Sequence, residues 1–304
     1  MGQRTLSDGS SGGRIAEIPH FRPVRADVFA QRADRLQRLA GAGAWQPYLR
    51  FAAALSTAQQ TALCASPSLP QPGEEMLARC FEHDMPPLSP EGHMRNPLWR
   101  DTLRSVLGAL DQAALPPAAI ASVDALLHAE GAELEAAADV LLGGAFTETD
   151  PAQAPLIAAA LQVYWVKLAL QLGEPAGLPA ATRLCPLCGS HPLASVVRVD
   201  GAAYGLRYLV CSLCATEWHL VRVKCSACGS TKGISYFGID GGGDAVKAEC
   251  CDQCRTYLKI FYLEKDTSAV PAADDLATLA LDVLVDQEGY KRVGPNLLFV
   301  PGAV

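Results

Sequence analysis

No stretch of about twenty uninterrupted apolar residues, the length a membrane helix needs, occurs in this chain of 304. The most apolar segment, Leu156 to Leu172, is broken by Gln162, Lys167 and Gln171. No membrane insertion is expected. No apolar leader with a small-residue cleavage site opens the sequence; its first twenty residues are mostly Gly, Ser and charges. A cytoplasmic protein with reduced cysteines is therefore expected. Aromatic residues are few, at 7%, and no basic run is interleaved with them. With a net charge of −7, this argues against a nucleic-acid partner. Enzyme signatures are missing too. There is no glycine-rich phosphate loop, no Gly-x-Ser-x-Gly and no His-Glu-x-x-His. The expectation is a non-enzyme.

What the chain does have is eleven cysteines, and eight of them fall in four Cys-x-x-Cys pairs. These are Cys185/Cys188, Cys211/Cys214, Cys225/Cys228 and Cys251/Cys254. Adding 40 to the first four positions gives the second four, an internal duplication written in ligand spacing. Each half holds two pairs with 22 residues between them, close to the two-pair zinc signature. A tight turn lets both sulfurs of a pair face one ion. Two turns then supply four thiolates at about 2.3 Å in a tetrahedron. Zinc and a single iron fit such a donor set equally well, so two metal ions are expected, iron or zinc. A glycine follows Cys188 and Cys228, as in rubredoxin-type knuckles, whereas Ala215 and Arg255 follow Cys214 and Cys254. The metals are expected to hold small modules that have little core of their own.

The register sets the remaining cysteines aside. Cys250 aligns with Val210 and is expected to be a partly buried free thiol, with Cys64 and Cys80 small packing residues of the helical half. His219 and His191 correspond to Lys259 and Thr231, so both are read as surface histidines. Asp274, Asp275 and Asp282, with Glu288 beyond, are read as a solvated or N-terminal helix face.

Periodicity divides the rest. A disordered tail is expected over 1–20 and an all-helical domain over 21–178. Phe29, Ala33, Leu36 and Ala40 mark one helix face, with Arg32, Arg35 and Arg38 largely off it. Further helices are read at about 46–63, 76–81, 98–110, 118–128 and 133–142, and a central buried one at 155–172. After the Gly/Pro-rich GEPAGLPA come strands, at 195–199, 206–210, 234–239 and 245–248, continuing in WHLVRV and TYLKIFYL. The four-cysteine modules span 179–220 and 221–265. A helix from Asp274 to Glu288, with Leu276, Leu279, Ala280 and Val283 inward, and an apolar tail packing on the body complete 266–304. The fold class is α+β: an all-α N-terminal domain, two tandem rubredoxin-like or zinc-ribbon knuckle modules, and a C-terminal helix. Lys/Arg against Asp/Glu is 13 to 19 before residue 181, 10 to 7 over 181–265 and 2 to 6 after. The cysteine block is mildly basic between acidic flanks.

In CPLCGSHP, GLRYLVCSLCATEWHLVRVKCSACG, KAECCDQCRTYLKIFYLEKD, ADDLATLALD and QEGY, the chain resembles the formate dehydrogenase accessory (formation) protein family. FAQRADRLQRLA and YLRFAAAL resemble that family's helical start. The resemblance implies a cytoplasmic assembly or maturation factor needed for active respiratory formate dehydrogenase. It also implies binding to the immature catalytic subunit of that enzyme, and iron at the eight cysteines. Two other readings stand beside it: a zinc-ribbon nucleic-acid binder and an iron-thiolate electron carrier.

Overall fold

The computed structural model describes residues 18–41, 45–91, 95–111, 115, 117–241 and 243–299. Residues 1–17 of the expected tail lie outside these. Pro19 and His20 are tied down, since Tyr208 Oη donates to the Pro19 carbonyl at 2.7 Å and the His219 amide donates to that of His20 at 2.9 Å.

A two-residue strand, β1 (Phe21–Arg22), precedes seven helices: α1 (Val28–Leu39), α2 (Gln46–Ala65), α3 (Glu74–Glu82), α4 (Leu98–Gly108), α5 (Pro117–His128), α6 (Gly131–Leu142) and α7 (Ala154–Leu172). Helix α7 is apolar on every side, and fifteen of its residues are buried. It is long and apolar enough to cross a membrane, but here α4, α2 and α6 cover it. A helix apolar all round has to be sheathed in this way. Gly173, at φ 69°, stops it. In α1, Phe29, Ala33 and Leu36 are buried, and so is Arg32. This corrects the expectation that Arg32 stands off the stripe. At 3.6 residues per turn it lies only about 60° from Phe29 and about 40° from Leu36.

The rest of the chain forms strands β2 (Pro192–Val197), β3 (Arg207–Cys211), β4 (Glu217–His219), β5 (Ile234–Phe237), β6 (Val246–Cys251) and β7 (Thr256–Tyr262), then α8 (Pro271–Ala277), α9 (Leu279–Gln287) and β8 (Lys291–Arg292). The register of 40 reappears in three dimensions, since β2-β3-β4 and β5-β6-β7 are equivalent antiparallel meanders. The meanders do not stand apart. The first strand of one pairs in parallel with the last of the other, Ser195 opposite Ile260, giving one sheet in the order β1-β4-β3-β2-β7-β6-β5. Strand β1 covers the free edge of β4, with Phe21 opposite Trp218. The main core joins both halves: Cys185, Cys188, Leu213 and Trp218 share it with α7, and so do Leu297 and Leu298 of the tail.

The single helix expected from Asp274 to Glu288 is two helices, broken at Thr278. Lys259 sits at the break. Its ammonium takes the carbonyls of Asp275 at 2.9 Å and Thr278 at 3.0 Å, the orphan acceptors of a helix end. The interruption turns the inner face, so Leu281 and Val285 are buried while Val283 is exposed and Ala280 points outward.

The aspartates do not line a solvated face. Asp274 receives Arg35 Nη2 at 2.6 Å. Asp275 is fully buried, against Arg292 at 2.6 Å and Lys259 at 3.2 Å. Asp282 takes Lys259 at 2.5 Å and Arg292 at 2.9 Å. Glu288, at the end of α9, is exposed. The cations that neutralise these carboxylates come from distant elements, which a local reading cannot see.

Candidate metal centres

Each pair of cysteines sits on a turn built in the same way. In the first turns, the Gly189 amide bonds to the Cys185 carbonyl at 2.8 Å and that of Gly229 to Cys225 at 3.0 Å. The glycines stand at φ 75° and 79°. The second pairs, which lack glycine, adopt this left-handed conformation too: Ala215 is at φ 57° and Arg255 at φ 55°. The missing glycine therefore costs backbone strain and leaves the knuckle intact. The residues after the first turns close back on the cysteine amides, as Cys185 N to Ser190 O at 3.0 Å and Cys225 N to Ser230 O at 2.8 Å.

The turns converge in two clusters, Cys185/Cys188/Cys211/Cys214 and Cys225/Cys228/Cys251/Cys254, and within each the four sulfurs lie within 4.8 Å of one another. In the first, sulfur pairs stand at 3.4 Å (Cys188–Cys211) and 3.6 Å (Cys185–Cys214 and Cys188–Cys214). In the second they stand at 3.6 Å (Cys225–Cys254) and 3.7 Å (Cys228–Cys251). A tetrahedron with metal–sulfur bonds of about 2.3 Å has edges of about 3.8 Å, whereas a disulfide needs about 2.05 Å. All eleven cysteines are free thiols. The two clusters fit two tetrahedral ions and could hold them.

Electrostatics calls for a cation. Burial pushes the Cys211 and Cys214 thiols well above their ordinary range, and the neighbouring Cys185 and Cys188 reinforce this. Cys185 alone is brought well below it: burial opposes the shift, and the surrounding thiols and Thr216 overcome that. In the second cluster, burial pushes Cys251 up to about 12. Burial also works against Cys225, but the amides of Cys228 and Ala227 outweigh it and bring that thiol to about 7. Four adjacent thiolates repel one another until a metal ion neutralises them.

Two threonines at equivalent positions complete the shells, and neither stood out in the sequence. Thr216 Oγ1 lies 3.1 Å from Cys214 Sγ and 3.4 Å from Cys185 Sγ, and Thr256 Oγ1 lies 3.0 Å from Cys254 Sγ. The signal was present, since both follow the second pair of their module as Cys-x-Thr. The clusters differ in exposure. All four cysteines of the first are buried, whereas Cys228 is exposed and Cys254 half-buried.

Among the described residues, no other cysteine or histidine joins either cluster. Cys250 is wholly buried among Ala248, Tyr257, Leu281 and Val285, on the opposite face of β6 from Cys251, and burial pushes its thiol up to about 12. It is more enclosed than expected. Cys64 is exposed and Cys80 half-exposed, so neither is the packing residue that the helical pattern implied. His191 is exposed. His219 is buried, edge-on to Tyr208 at 5.7 Å. That corrects its reading as a surface residue: β1 covers the strand that carries it.

Sequence comparison matches three consecutive segments: "FdhE, N-terminal" over 18–193, "FdhE, central domain" over 184–222 and "FdhE, C-terminal domain" over 223–299. A protein FdhE homolog of Pseudomonas aeruginosa is 41% identical over 308 residues, 99% of each chain. Another, of Stutzerimonas stutzeri, is 41% identical over 305 residues, again 99% of each. The crystal structure of the FdhE protein from Pseudomonas aeruginosa superposes with a TM-score of 0.84 at 40% identity, covering 94% of this chain and all of that one. With the duplicated four-cysteine geometry, these matches show that the chain belongs to the FdhE family.

Proposed function

We propose that this protein is a non-enzymatic maturation factor for respiratory formate dehydrogenase, acting in the cytoplasm on the immature catalytic subunit. Membership of the FdhE family over nearly the whole chain is the observation that carries this reading. In it, Cys185, Cys188, Cys211 and Cys214 hold one ion, and Cys225, Cys228, Cys251 and Cys254 hold a second, as iron or zinc. The protein fills all four coordination positions at each site. That suits ions that shape a surface and leaves no open position for a reacting water. When bound, the ion supplies the positive charge that lets four thiolates share one small space.

Deletion of the gene should abolish respiratory formate oxidation and leave unrelated molybdenum enzymes active; normal formate oxidation in the deletion strain overturns the reading. Metal analysis of protein purified without oxygen decides between iron and zinc. A second reading, an iron-thiolate electron carrier, is favoured by the exposure of Cys228. Red protein that bleaches reversibly with a reductant supports it, and colourless protein with two zinc ions ends it.

A further inference from the structure

Among the described residues, three cationic side chains are fully buried: Arg32, Arg207 and Lys259. Arg207 faces Glu249 at 2.7 Å, and Lys259 lies between Asp275 and Asp282. Among the described residues Arg32 has no carboxylate. It is 2% exposed, its Nε has no partner, and its guanidinium is met only by amide oxygens and by the ring of Phe29. Burial alone brings its pKa down to about 10. An uncompensated cation in a core is costly, and a distant anion would explain its retention.

Hydrogen bonds lead from it to one. Arg32 Nη1 donates to Gln162 Oε1 at 2.9 Å. Gln162 Nε2 donates to the Ser212 carbonyl at 2.7 Å. The other end of that peptide unit, the Leu213 amide, donates to Cys211 Sγ at 3.4 Å. Each donor points toward the sulfur, so guanidinium, side-chain amide and peptide are polarised in one sense and strengthen one another. Gln162 is the first of the three polar residues that interrupt the apolar run of α7, and Gln59 holds its oxygen from the other side at 3.1 Å.

We infer that Arg32, relayed through Gln162 and the Ser212–Leu213 peptide, is the internal counter-cation of the first cysteine cluster. The inference rests on the proposed occupancy of that cluster by a metal ion. Four thiolates around a divalent ion carry a net charge of −2, and with all four cysteines buried, water cannot dissipate it. The second cluster needs no such partner. It opens to solvent at Cys228, beside Lys224 and Arg183, whose stems approach Gly229. Arg32 and Gln162 are thus positioning residues that set how tightly the first site holds its ion, and they touch neither ion nor ligand directly.

The test uses cobalt(II) alone as probe, added to the full chain stripped of metal. Sulfur-to-cobalt absorption is followed in competition with a chelator, and a Cys254→Ser variant, which removes a ligand of the second site, assigns the two signals. Arg32→Met and Gln162→Leu should weaken the first site by about tenfold, which is about 1.4 kcal/mol, with the second unchanged and Arg32→Lys recovering most of the loss. Thermal unfolding of the metal-free chain separates this from a packing role. Removing an unpaired buried charge should leave metal-free Arg32→Met as stable as the parent or more so, while its cobalt-loaded form melts lower. Unchanged cobalt affinity, or equal weakening of both sites with a destabilised metal-free chain, overturns the inference. A parent chain without sulfur-to-cobalt absorption overturns the metal reading itself.

Discussion

Thr256 Oγ1 lies 3.0 Å from Cys254 Sγ, and forty residues earlier Thr216 makes the same contact with Cys214 at 3.1 Å. A hydroxyl so placed donates to a metal-bound thiolate, and partners of this kind orient ligands and tune the ion. Replacing threonine by valine keeps the shape and removes the donor. Thr256→Val should weaken the second site by about tenfold. Thr216→Val should cost more at the first site, because that hydroxyl also meets Cys185 and is buried. Cobalt competition with a chelator measures both, and serine at either position should restore binding. Equal affinities in parent and variants would show the threonines to be packing only.

Strain at the knuckles gives a second test. Ala215 holds φ 57° where its counterpart Gly189 holds 75°. Ala215→Gly relieves an unfavourable conformation but loosens the unfolded chain. The net should be a gain of about 0.5–1 kcal/mol, seen as a rise in Tm of about 2 °C. The reverse exchange, Gly189→Ala, creates that strain and sets a Cβ 3.1 Å from Pro86 Cγ, so Tm should fall. Two variants moving in the same direction would refute the argument.

How much of this was legible depends on the range of the interactions. Helices α2 and α7 begin and end within two residues of their sequence patterns, because capping and periodicity are local. The eight cysteines were legible because a turn fixes the x2 spacing and the duplication repeats it. Spacing alone misplaces Arg32 off the stripe, although it lies within about 60° of both Phe29 and Leu36 and so faces inward. The Arg35–Asp274 pair, 239 residues apart, has no local trace. Strands β1 and β8 are two residues each and carry no alternation; only their partners define them.

The cluster around Asp275 makes a prediction about acid. Burial works against its charge, but Arg292 and Lys259 outweigh this and hold its carboxyl below the usual range. A depressed folded value means that its stabilisation is present above the unfolded value, about 3.9, and is lost as pH falls through the folded one. Asp275→Asn leaves Lys259 and Arg292 short of a counter-charge and should cost about 3–5 kcal/mol at pH 7. The gap between parent and variant should narrow toward pH 3. Urea unfolding at both values checks this, and a gap independent of pH would contradict it.

The unequal burial of the two clusters predicts an order of metal release. Cys228 is exposed and Cys254 half-buried, whereas Cys185, Cys188, Cys211 and Cys214 belong to the core that includes α7. A chelator can reach the second site without moving the helical half, but the first requires that core to open. One equivalent of metal should therefore leave quickly and the other only as slowly as the core opens. Iodoacetamide added during removal should label Cys225, Cys228, Cys251 and Cys254 before any cysteine of the first cluster. Substitution should follow the same asymmetry. Cys188→Ser places a hydroxyl in a closed apolar core and removes a ligand, so it should lower Tm further than Cys228→Ser, whose hydroxyl meets water. Simultaneous release of both ions, with labelling spread evenly over the eight cysteines, would mean that the two centres open as one unit.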